Sequence, residues 1–182
     1  MFQNKHDPHL TYHHGEHTLR VVDIAAMIAT HEKTGVESMR LIKTAALFHD
    51  TGFLISPKDH EQESIRIARQ HLPALGYSQV EIDIIAGLIL ATEIPQQPKT
   101  HEEMIVADAD LEYMGTDDFD IISDSLFREL TYFRPTLTED EWNSIQISFL
   151  QKHHYHTEFC KKFRAPKKRE NLQKLIEGSG RS

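Results

Sequence analysis

Lys43-Thr44-Ala45-Ala46-Leu47-Phe48-His49-Asp50-Thr51-Gly52 reads as an apolar helix that runs into a histidine, an aspartate and a glycine stop. Ile42, Ala45 and His49 fall at i, i+3 and i+7, one stripe of a helix. Asp50 follows Ala46 by four residues and Leu47 by three, so it too keeps apolar company. An ionised carboxylate is costly to bury, and more so at the negative end of a helix dipole. A cation offsets that cost, and imidazole with carboxylate is a good donor set for a divalent ion.

Two other stretches carry the same signature. Upstream, His17, Val21, Ile24 and Ile28 share one helical stripe, so His17 points inward with the aliphatic side chains. His13 lies four residues earlier, on the same side if the helix extends that far. Downstream, Ile105-Val106-Ala107-Asp108-Ala109-Asp110-Leu111-Glu112-Tyr113-Met114 holds two acids among apolar residues. Asp110 has Val106 and Met114 at i−4 and i+4; Asp108 has Met104, Ile105 and Leu111 as neighbours. Two residues apart on a helix, they diverge and do not share one metal, and periodicity does not choose between them. A single inward histidine is commonly a hydrogen-bonded core residue. Three such sites on separate apolar stripes weaken that explanation.

The surrounding sequence predicts helices throughout. Ser78-x-x-Glu81, Thr100-x-x-Glu103 and Thr138-x-x-Glu141 are capping boxes, and Asp59-x-x-Gln62 is a weaker version. Stops stand at Gly35, Gly52, Pro73 with Gly76, Pro95 with Pro98, Gly115 and Arg134-Pro135. Helices are expected near 15–32, 37–51, 60–72, 78–93, 100–114, 117–133, 138–152 and 166–177. There is no hairpin signal and no alternating β-branched run. The expected fold is all-α, an irregular helical bundle forming a single domain over 1–182, with a metal-site core at about 10–115 and the helices of 117–182 packed on it.

Composition bounds the function. The chain has 182 residues, 13 of them histidine, and a net charge of −8, which opposes a duplex nucleic-acid binder that works by neutralising phosphates. Its single cysteine, Cys160, excludes an internal disulfide and a cysteine zinc cage. Residues 1–8 lack the apolar run of a signal peptide, and Ile84 to Ala91 is too short to span a bilayer. A cytoplasmic protein with no membrane partner is expected. The run Lys161, Lys162, Arg164, Lys167, Lys168 and Arg169 reads as a solvated tail, or else an anion-binding or oligomer surface. Zinc-protease spacing fails at His31, His60 and His101, where i+4 is Gly35, Ser64 and Ile105. The acidic run at 108–115 has Tyr113 where an EF-hand needs glycine, and no Gly-rich phosphate loop or G-x-S-x-G elbow occurs.

Tyr12-His13-His14-Gly15-Glu16-His17-Thr18-Leu19-Arg20-Val21, Ala46-Leu47-Phe48-His49-Asp50-Thr51-Gly52 and Ala107-Asp108-Ala109-Asp110 together resemble the HD superfamily of metal-dependent phosphohydrolases. The resemblance covers roughly residues 10 to 115. It implies an HD-type helical domain with one tightly held divalent metal (Mn, Fe, Co, Ni, Mg or Zn) on His17, His49, Asp50 and Asp110. In that family the ligand is the Asp after the Ala, which selects Asp110 and gives Asp108 a supporting role. The first segment is also similar to the His-Asn-x-x-His stretch of cyclic-nucleotide phosphodiesterases, which assigns leaving-group protonation to His13, with His14 replacing the Asn.

Family members with two metals carry further histidines. Here position 53 is Phe, and Ala91-Thr92-Glu93 has none. His60 and His71 share a stripe with Ser64 and Ile67, and His60 with Glu61 is expected beside the substrate or a weak second ion. The implied activity is hydrolysis of a small phosphorylated molecule such as a nucleotide, with Lys58, Arg20 or Arg66 as phosphate anchors. Two alternatives are a metal-containing nucleotide-binding module without turnover and an HD-type iron oxygenase. The missing second-site histidines count against the oxygenase. A homo-oligomer is compatible with the sequence.

Overall fold

In the computed structural model, residues 9–179 are described; the sequence reading of residues 1–8 lies outside them. Among the described residues the chain is all-α, with no strand. The helices are α1 (Gly15–His31), α2 (Val36–Phe48), α3 (His60–His71), α4 (Gln79–Leu90), α5 (His101–Asp110), α6 (Phe119–Phe133), α7 (Glu139–Lys152), α8 (Glu158–Phe163) and α9 (Ala165–Ser179). Short 3₁₀ turns occupy Thr51–Leu54, Leu72–Leu75 and Glu112–Gly115. The chain forms two compact units, one spanning 15–111 and the other combining 9–14 with 112–179.

In the 15–111 unit, α1 packs on α2 and α5, α2 on α4, and α3 on α4 and the 51–54 turn. Val21, Ala25, Ile28, Ile42, Ala45, Ile85, Ile89, Ile105 and Val106 fill its core, each essentially removed from water. Ser78 and Thr100 cap α4 and α5 with reciprocal Glu81 and Glu103 bonds, as the sequence pattern requires. Asp59 does not cap α3: it sits at φ +54° and its side chain makes no cap bond. α2 stops at Phe48 rather than near 51, so His49 and Asp50 lie just past its end. The turn that follows is stapled to α3 by Ser64. Its buried hydroxyl donates to the His49 carbonyl at 2.6 Å and accepts the Gly52 N–H at 2.8 Å. A Cβ on Gly52 would run into the backbone of His60, so only glycine lets the turn and α3 approach this closely.

In the other unit, Thr138 caps α7 with a capping box, and Trp142 stacks on Phe127 at 5.9 Å. The basic run is not simply a solvated tail. Arg164 pairs with buried Glu112, and the buried Lys168 ammonium donates to the carbonyls of Leu150, at 2.9 Å, and His153. These carbonyls end α7, where the helix dipole favours a cation. The six-residue α8, unmarked by periodicity, overlaps the start of that run and is capped by Thr157. Asn171 donates to the carbonyls of Met114 and Thr116, holding α9 on the 112–115 turn.

Candidate metal centre

α1 delivers His17 on its buried stripe with Val21, Ala25 and Ile28. The end of α2 delivers His49, which is fully buried. Its Nδ1 lies 2.7 Å from the Ala46 carbonyl, which can only accept, so Nδ1 carries the proton and Nε2 offers its lone pair inward. Asp50 follows on the stapled turn. α5 ends on Asp110, so this carboxylate sits at a helix terminus and Met114 does not continue its stripe.

These four side chains converge. His17 Nε2 is 3.3 Å from His49 Nε2, 3.2 Å from Asp50 Oδ2 and 3.3 Å from Asp110 Oδ1. His49 Nε2 is 3.1 Å from Asp50 Oδ2 and 3.4 Å from Asp110 Oδ1. Donors about 2.1 Å from one cation stand about 3.0 Å apart at octahedral corners and about 3.4 Å apart at tetrahedral ones. All five separations match that range. Hydrogen bonding alone fits less well, because each Nε2 faces three partners and holds at most one proton. The donor set therefore fits a divalent cation.

The electrostatics agree. Burial by itself lowers the pKa of His17, but the carboxylates of Asp110 and Asp50 outweigh it and raise it. His49 follows the same pattern, burial opposed and overcome by the charge of Asp50 and by Asp110. Burial disfavours ionised Asp110, yet the two imidazoles hold its carboxyl below the ordinary range. The pocket draws positive charge, which protons supply when no metal does and which a metal supplies by displacing them.

The other expected residues are placed as follows. His60 opens α3; its Nε2 is 3.5 Å from Asp50 Oδ1 and 3.3 Å from Glu61 Oε1, and its ring lies 4.2 Å from that of Phe53. His60 and the buried Glu61 thus border the cluster through the second oxygen of Asp50. Asp108 is fully buried and is not among the grouped donors His17, His49 and Asp110. His71 lies in the last turn of α3, outside that group. Arg66 bonds Glu63 at 2.7 Å and Lys58 is exposed, whereas Arg20 Nη2 lies 3.1 Å from His17 Nδ1.

His13 belongs to the other unit. Its Nδ1 pairs with Glu129 of α6, whose carboxylate also accepts the N–H of Tyr12 at 2.8 Å and of His13 at 3.0 Å. Glu129 is only 2% exposed. Burial opposes its ionised form, but His13 holds the carboxyl below its ordinary pKa. Sequence reasoning missed Glu129, Ser64 and the particular place of Arg20. Ser64 shares the buried stripe of α3 with Ile67, a signal that could have found it; Glu129 and Arg20 stand on no pattern that separates them from surface residues of their type.

An all-α protein in which His17, His49 and Asp110 are grouped as donors for one cation, with Asp50 against both histidines, defines the class. The HD domain family matches residues 15–114, more than half of the chain, and the chain belongs to that family. A crystal structure of a predicted HD superfamily hydrolase from an uncultured Thermotogales bacterium is similar in fold, with a TM-score of 0.53. It is 23% identical, and the match covers 83% of each chain. No curated protein matches the chain. No helix among the described residues is long and apolar enough to cross a membrane.

Proposed function

We propose that this chain is a metal-dependent hydrolase that cleaves a phosphate ester of a small molecule, with a nucleotide as the favoured class. The observation that carries the reading is the set of five Nε2 and carboxylate separations of 3.1–3.4 Å inside an HD domain. His17, His49, Asp50 and Asp110 would hold one divalent ion. When bound, such an ion lowers the pKa of a water and polarises a phosphoryl oxygen.

The protein groups do the rest. The Ala46 carbonyl fixes the His49 ring, and Ser64 fixes the turn that carries Asp50. His60 sits between Asp50 and Glu61 at the edge of the cluster, and to it and Glu61 we assign a place beside the substrate. In the other unit, the Nδ1 of His13 pairs with Glu129. To Asp108 we assign a supporting role at the end of α5. Small substrates suit the net charge of −8 better than duplex nucleic acid does.

The test is metal analysis combined with a panel of phosphomonoesters and phosphodiesters, run on the wild type beside His49→Ala and Asp50→Ala. Metal and activity are expected to disappear together in both variants. A variant that keeps its activity without metal overturns the reading. A wild type that binds metal stoichiometrically yet turns over no ester points instead to a regulatory module, and oxygen consumption with iron points to an oxygenase.

A further inference from the structure

We propose that the cleft between α6 and α7 binds a small organic cation with separated ammonium groups, an aliphatic diamine in chemical class. The cleft has a volume of about 200 Å³, and Phe119, Phe127 and Trp142 line it together with Asp120, Asp124 and Glu139. All of its lining residues belong to the unit that combines 9–14 with 112–179, and none to the unit that carries the metal cluster.

The wall is aromatic. The rings of Phe127 and Trp142 are nearly parallel, with centroids 5.9 Å apart and planes 14° apart. Such rings attract a cation to their faces and take the methylene chain of an amine by apolar contact. The buried polar groups that line the cleft already satisfy one another. Ser123 donates to Gln146 Oε1, and Gln146 Nε2 donates to Asn143 Oδ1 at 3.4 Å. A neutral polar guest therefore finds little there to bond.

The charged groups decide the sign of the guest. Among the described residues no lysine, arginine or histidine lines the cleft, which disfavours a phosphate or a carboxylate. Asp120 and Glu139 stand in the first turns of α6 and α7, where the helix dipole favours an acid. The dipole accounts for each of them singly, but not for both bordering one aromatic cleft. Asp124 pairs with Arg128 in an exposed i,i+4 contact, which an incoming ammonium displaces at little cost. These acids are not grouped around one point as ligands of a metal ion are; among the described residues only His17, His49 and Asp110 are. Separated carboxylates along an apolar wall match separated ammonium groups on an alkyl chain, and the net charge of −8 draws cations toward them.

Diaminobutane is the probe, with butanediol of the same chain length as its neutral counterpart. Binding is measured on the full chain by titration calorimetry at low ionic strength. The wild type is expected to bind the diamine and not the diol. Asp120→Asn and Glu139→Gln are each expected to weaken diamine binding by about 2- to 5-fold, the worth of an exposed ion pair, and the double variant by about the product. Phe127→Leu keeps the apolar bulk but loses the π face, and is expected to weaken binding by about 2- to 5-fold. The control is the double variant Asp118→Asn with Asp140→Asn, which removes the same charge from the same two helix starts outside the cleft and should bind as wild type does. Circular dichroism checks that every variant is folded. Any of four results overturns the proposal: a wild type that binds no diamine, equal binding of diamine and diol, a cleft double variant that binds no more weakly than the control, or one-for-one displacement of the diamine by Mg²⁺.

Discussion

Ser64→Ala is the most informative single change, because it alters none of the four donor side chains and removes what holds the turn carrying His49 and Asp50 in place. The hydroxyl is fully buried, donates to the His49 carbonyl at 2.6 Å and accepts the Gly52 N–H at 2.8 Å. Alanine fills nearly the same space, so no cavity term of consequence arises. It leaves one donor and one acceptor buried without their partner, at about 1–3 kcal/mol each. Partial relaxation of the turn offsets some of this, and a net loss of about 2–4 kcal/mol is expected. For a chain of this size that corresponds to a fall in Tm of roughly 4–15 °C. The loosened turn carries His49 and Asp50, so metal affinity falls as well. Denaturant unfolding of metal-stripped protein gives the stability term; competition with a chelator gives the affinity term. The exposed Ser144, which bonds only within α7, is the control, and Ser144→Ala is expected within about 0.5 kcal/mol of wild type. A Ser64→Ala protein that matches wild type in both measurements would refute the assignment of Ser64 as the staple of the site.

Other expectations follow from the same geometry. In metal-free protein the folded-state pKa values of His17 and His49 lie above the unfolded value, so their contribution is fully present below about pH 6.5 and is lost as pH rises through the raised values. The Asp110 contribution runs the other way, present above about pH 4 and lost as pH falls toward its depressed value. Metal displaces the histidine protons, so the rise in Tm on adding metal should grow from pH 5.5 to pH 8; a constant increment would contradict the assignment. Gly52→Ala places a methyl group against the His60 backbone and should destabilise by about 1–3 kcal/mol or more while lowering metal content, read by calorimetry and elemental analysis. Glu129→Ala strips the acceptor from the Tyr12 and His13 N–H groups; a loss of about 2–4 kcal/mol is expected, and Glu129→Gln, which keeps a carbonyl oxygen, should recover part of it in the same unfolding assay.

The helices and most of the cation cluster were legible in the sequence, because each depends on short-range spacing. A serine or threonine three residues before a glutamate, as at Ser78, Thr100 and Thr138, is a local device, and all three formed. His17 and His49 were inward by periodicity alone, since the aliphatic residues of their stripes cannot face water. Periodicity could not choose Asp110 over Asp108, because both are flanked by apolar residues. The choice is made where α5 stops, which leaves one carboxylate facing two imidazoles and the other buried apart from that group. Asp59 failed as a cap because the turn before α3 puts its backbone in the left-handed region. Glu129 is buried only because residues 12 and 13 fold back on α6, more than a hundred positions away in the chain. Arg164 and Lys168 left the solvated tail for the same kind of reason: each found its oxygen partner on a distant segment. Local sequence thus determined which faces turn inward, since that needs only the helical repeat and hydrophobicity. Tertiary structure decided which polar groups meet inside, since their burial depends on partners that spacing along the chain does not reveal.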